Sequence, residues 1–148
     1  MLVNPIPGYW AARGLRGQIY NEAAFRHFLT VDRLRARRSR RDVFLVLVGL
    51  RGQDGRPAML STGLAAAIFR GLVDAVREVD FVGWFREGRM PAALLVQGAD
   101  APEAQVIAGR AAARLGSEVA KRLPSALMDR VRVRVVRLGS HSEGWMHV

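Results

Sequence analysis

The sequence predicts an α+β fold, a palm in which helices pack on an antiparallel-rich central sheet. Three observations carry that prediction. Residues 42–50, DVFLVLVGL, form a continuous valine-rich run of the kind found in a strand covered on both faces. Two apolar segments, FVGWF (81–85) and MPAALLVQ (90–97), are split by the short glycine-containing turn REGR (86–89), which is hairpin spacing. Segments of helical period alternate with these strands. At 148 residues, half of them hydrophobic, the chain suits one domain with a real core.

In order along the chain, residues 1–18 hold Pro5, Pro7, Gly8, Gly14 and Gly17 and read as an irregular arm. Asn21 is placed to cap a helix over residues 22–38, with Phe25, Phe28, Leu29 and Leu34 on roughly one face. GQDGRP (52–57) is a turn by composition, and Ser61 or Thr62 then caps a helix in which Leu64, Ile68, Leu72 and Val76 recur at helical spacing. A long alanine-rich helix follows the hairpin, with Pro102 in its first turn. After a connection containing Pro124, VRVRVVRLG (131–139) alternates valine and arginine, as an edge or half-exposed strand does. The domain is expected over 19–139, with a loosely attached tail over 140–148.

Composition removes several function classes. There is no cysteine, so disulfides, thiolate zinc sites and cysteine nucleophiles are excluded. The only imidazoles are His27, His141 and His147, and His27 has no second histidine at i+4 to make it a ligand pair. No apolar run reaches the length of a membrane span and MLVNPIPGYW lacks a signal pattern, so a cytoplasmic location is expected. The net charge of +10 raises nucleic acid as a partner. Yet all but one of the basic residues are arginine, and the dense run Arg33 to Arg41 falls at a helix end, where cations complement the dipole. No aromatic residues are interleaved with that run, so it reads as a solvated face rather than a nucleic-acid platform.

Over roughly residues 15–138 the chain resembles the GGDEF domain, the diguanylate cyclase family. IYNEAAF (19–25) is similar to the family's opening LPNRRAF, with Asn21 and Phe25 kept. FLVLVGLRG (44–52) lies where the family has its first strand and metal-binding aspartate, and REVDFVGWFREGRM (77–90) fits its RxxD, strand and signature turn at the expected spacing. VRVRVVRLG corresponds to its late strand. The resemblance implies a cyclase-like palm, and it also implies losses. The signature turn reads Arg86, Glu87, Gly88, Arg89 and Met90, so arginine replaces the first glycine and the second acid. Gly49 stands at the aspartate's place and Arg51 at a second acidic place. Phosphoryl transfer of this kind needs carboxylates to hold divalent metal against the triphosphate, so no cyclase activity, no metal site and no cofactor are expected.

The pair Arg77 and Asp80 fits the family's RxxD site, which implies cyclic di-GMP as a ligand, with the arginine on phosphate or guanine and the aspartate on the guanine edge. The other reading is an i, i+3 salt bridge ending the helix. Arg51 and Asp54 repeat the same spacing, Arg110 is a candidate second cation, and Asp54 reads as the turn residue of an Asp-Gly pair rather than an acid catalyst. Glu87, flanked by arginines, is expected to be ion-paired or solvated. Trp84 and Phe85 alternate, so packing takes at least one of them and a base-stacking role competes for Trp84. The sequence therefore points to a catalytically inactive effector that binds cyclic di-GMP. The alternative is a ligand-free scaffold for protein partners or a homodimer, with the arm and tail as contact elements.

Overall fold

The structure, a computed structural model, describes residues 19–120 and 129–139. The expected arm over 1–18, the Pro124 connection and the tail over 140–148 lie outside the described residues. The elements run β1 (Ile19–Tyr20), α1 (Glu22–Ser39), β2 (Val43–Leu50), α2 (Thr62–Ala75), β3 (Phe81–Arg86), β4 (Met90–Leu95), α3 (Ala101–Ala120) and β5 (Val131–Leu138). The five strands form one sheet in the order β1-β3-β4-β2-β5. All neighbours are antiparallel except β1 and β3, which pair in parallel over two residues. The α+β fold and antiparallel-rich sheet expected from the sequence are present.

Each helix starts where a side chain can satisfy an orphan backbone N–H. Asn21 Oδ1 accepts from Ala24 N at 2.9 Å, Ser61 Oγ from Leu64 N at 3.2 Å, and Asp100 Oδ1 from Glu103 N at 2.8 Å. The helix α1 ends at Arg40, whose left-handed backbone (φ 53°) turns the chain so that Arg41 N reaches Ala36 O.

The sheet is buried on both faces, but not equally. Against one face pack α2 and α3, which also pack against each other, burying Val46, Val48, Ile68, Phe69, Leu72, Ala104 and Ile107. The other face carries α1 alone, centred on β3, and buries Phe25, Leu29, Leu45, Leu47, Phe85 and Leu94. The core face of α1 runs through Phe25, Leu29, Asp32 and Ala36; Leu34, expected inside, is 53% exposed. That i, i+4, i+7, i+11 stripe leaves residue 34 on the opposite face, and the buried Asp32 is held by Arg41 at 3.2 Å. Gly83 is required by a close approach: a Cβ there would lie 2.5 Å from Tyr20 O, so a side chain would push β1 off the sheet.

Burial sets the cost of truncation on α1. Leu29→Ala is expected to destabilise by about 2–5 kcal/mol, whereas Leu34→Ala stays within about 0.5 kcal/mol. Urea unfolding midpoints of the two variants measure the difference.

Candidate functional site

Arg77 and Asp80 lie beyond the end of α2 rather than on it. The helix stops at Ala75, Val76 is already extended (ψ 167°), and Asp80 N donates to Arg77 O at 3.1 Å to close a turn. The i, i+3 proximity therefore comes from turn geometry and not from a helix face. Within the turn the guanidinium grips the carboxylate as a fork, Nε to Oδ2 at 3.1 Å and one terminal nitrogen to Oδ1 at 2.8 Å. Asp80 Oδ2 also accepts from Arg77 N at 2.9 Å and Oδ1 from Val96 N at 3.1 Å. The carboxylate thus accepts four hydrogen bonds while its side chain is 0% exposed.

The guanidinium is equally committed. It donates to Val96 O at 2.6 Å and to Glu103 Oε2 at 3.1 Å, linking the turn to the end of β4 and the first turn of α3. The hydrogen bonds Arg77 donates to Asp80, followed by the field of Asp80 and Glu103, raise Arg77 above the ordinary guanidinium value against the opposing pull of partial burial. Arg110 takes part in none of these bonds and sits exposed two helical turns beyond Glu103. The structure brings Arg77 and Asp80 together, but not Arg110 with them.

The hairpin turn Arg86–Met90 is held from two sides. On one side it meets α1: Glu87 Oε1 accepts from Glu22 N at 3.3 Å, and Glu22 Oε1 accepts from Glu87 N at 2.6 Å. Glu87, expected to be ion-paired or solvated, is exposed and also faces the first backbone N–H of a helix, a favourable place for a carboxylate. Arg26 reinforces the contact, donating to Phe85 O at 3.2 Å and lying 4.6 Å over the Phe85 ring.

On the other side the loop between β2 and α2 folds onto the turn. Leu60 N donates to Gly88 O at 2.8 Å and Arg89 donates to Pro57 O at 2.8 Å. Gly88 has φ 76°, and a Cβ there would lie 2.7 Å from Met59 Sδ, so the Met59 side chain sits directly against the turn. The loop doubles back on itself through a bridge between Arg51 and Pro57. At its tip Asp54 Oδ1 accepts from Arg56 N at 3.0 Å, which makes Asp54 a turn-forming residue.

Beside this loop runs a feature that motif reading missed. A cavity of about 400 Å³ opens over the part of β2 and β5 that α1 leaves uncovered, with Leu47, Gly49, Met90 and Val133 in its lining and Arg51, Arg132 and Arg134 among them. A second, of about 730 Å³, adjoins it through Pro57 and Arg134 and adds Arg56, Arg86 and Arg89. Arg132 and Arg134 share one face because strand side chains alternate, and their partners across β2 are Gly49 and Leu47. The alternation was visible in VRVRVV. The loop that completes the groove was not.

The remaining candidates are structural. Trp84 is 3% exposed and meets Phe69 edge-on at 5.0 Å, while Phe85 is buried on the opposite face, so neither offers a stacking surface. His27 is exposed on α1. Among the described residues no three His, Cys, Asp or Glu side chains are placed to hold a metal ion, and no helix is long and apolar enough to cross a membrane.

Several solved structures share this architecture. The GGDEF domain of FimX from Pseudomonas aeruginosa superposes with a TM-score of 0.62 at 18% identity, covering 99% of this chain and 87% of that one. This is the GGDEF fold. The diguanylate cyclase SiaD from the same organism, solved in complex with its activator SiaC, gives a TM-score of 0.59 at 17% identity over 90% of this chain. PelD, in its apo form, gives 0.57 at 20% identity over 85% of this chain. The chain spans about half the length of these last two, 52% of SiaD and 43% of PelD. No family model and no curated protein matches the sequence. At these identities the GGDEF likeness is one of fold.

Removing Asp80 leaves the backbone N–H groups of Arg77 and Val96 without their acceptor and the guanidinium with Glu103 as its one carboxylate. Asp80→Ala is expected to cost about 3–5 kcal/mol. Glu103→Ala, which removes a half-exposed partner of the same guanidinium, is expected to cost within about 1 kcal/mol. Chemical denaturation of the two variants separates a buried clasp from a surface salt bridge.

Proposed function

We propose that this chain is a GGDEF-type domain without cyclase chemistry that works as a protein-interaction module. The observation that carries the proposal is the seating of the β2–α2 loop on the hairpin turn, through Leu60 N to Gly88 O, Arg89 to Pro57 O, and Met59 against Gly88. In the family this chain resembles, that loop and that turn face nucleotide phosphates; here they are tied to each other, and the cavity left between them is lined by Arg56, Arg86 and Arg89.

The residues at this place also do not fit a divalent cation. Gly49 has no side-chain oxygen, and Arg51, Arg86 and Arg89 are cations. Glu87 is engaged with the backbone of Glu22, and a hard cation takes six or more oxygens, several of them from the protein or its substrate.

The cyclic di-GMP reading has less support from the geometry. For Asp80 to accept guanine N–H donors it must give up hydrogen bonds to Arg77 and Val96 and emerge from full burial. A ligand must replace those bonds before it gains anything. That SiaD was solved with a protein activator supports protein association as a use to which this fold is put.

Incubation of purified protein with GTP and magnesium, followed by chromatography of the products, tests the proposal. No cyclic di-GMP is expected above a protein-free blank, and its steady accumulation would overturn the non-catalytic reading.

A further inference from the structure

The adjoining cavities between β5 and the β2–α2 loop form one cationic groove. Six arginines line it, Arg51, Arg56, Arg86, Arg89, Arg132 and Arg134, against the single acid Asp54. Asp54 is occupied with the backbone N–H of Arg56. Among the described residues none of the six arginines forms a salt bridge with a carboxylate; Arg89 and Arg132 donate only to backbone carbonyls. Outside it Arg41 pairs with Asp32, Arg77 with Asp80 and Glu103, and Arg137 with Asp42, while the exposed end of α1 carries a second run, Arg35, Arg37, Arg38 and Arg40. The groove is where six arginines surround adjoining cavities.

We propose that this groove docks an acidic, extended segment of a partner protein. Besides the six cations, two observations select that occupant. Arg132 and Arg134, two residues apart on one face, match acidic residues at alternate positions of such a segment. The apolar lining from Leu47 and Met90 gives the intervening side chains a dry surface.

Charge excludes the chain itself as the occupant. A second copy carries the same net charge of +10, residues 1–18 contain Arg13 and Arg16 and no acid, and residues 140–148 contain Glu143 alone. The inference rests on the reading of the domain as an interaction module. The two fail separately, because GTP turnover would overturn the module and leave the peptide measurement standing.

The test is fluorescence anisotropy with a labelled decapeptide of alternating Glu and Thr, titrated with the protein at low salt. Arg132→Glu combined with Arg134→Glu is expected to weaken binding by ~10-fold or more, and so is Arg51→Glu combined with Arg86→Glu. The charge-matched control Arg37→Glu with Arg38→Glu, on the exposed end of α1, changes it by less than ~3-fold. Equal loss in all three variants would mean diffuse charge attraction and would overturn the groove. Absence of wild-type binding would overturn it too. Displacement of the peptide by equimolar tripolyphosphate would replace the proposal with a small-phosphate site.

Discussion

The carboxylate of Asp80 is the constraint on which the arrangement around the candidate site depends. A charge with no exposure to water must be compensated by hydrogen bonds, and Asp80 finds all four on Arg77 and Val96. Because Arg77 also reaches Val96 O and Glu103, one ion pair fixes the exit of α2, the end of β4 and the start of α3 relative to one another. The turn can therefore deliver β3 into the sheet at a set height, which places the hairpin turn Arg86–Met90 against α1 and the β2–α2 loop. The same features that resemble a nucleotide site are in this way consumed in holding the molecule together.

The hairpin turn repeats that pattern. Glu87 trades backbone contacts with Glu22, while Gly88 O and the Arg89 side chain hold the loop that carries Met59. A polar group already satisfied inside the protein gains little from a ligand that must first displace its partner. The six arginines of the groove, by contrast, have no carboxylate partner among the described residues.

Much of this was legible in the sequence. The valine run, the hairpin spacing and the caps Asn21 and Ser61 are local signals, and local physics decides them. The failures come from tertiary context. Leu34 was placed inside because apolar character was weighed over phase, whereas the position facing the core belongs to Asp32, which Arg41 compensates from beyond the helix end. Arg77 and Asp80 were assigned to a helix face because the spacing fits one, but extended Val76 ends the helix first. Glu87 meets a helix N-terminus that lies 65 residues away in the chain, which no local pattern can reveal. The arginine groove needed β5, the loop and the hairpin turn to be brought together.

Arg77 and Asp80 grip each other as a fork, which we propose leaves neither for a nucleotide. The most direct measurement is isothermal calorimetry of the purified chain with cyclic di-GMP, run beside Arg77→Ala. No saturable heat is predicted for the wild type up to high-micromolar ligand. A one-site isotherm for the wild type that vanishes in Arg77→Ala would contradict the account and restore the pair as a ligand site.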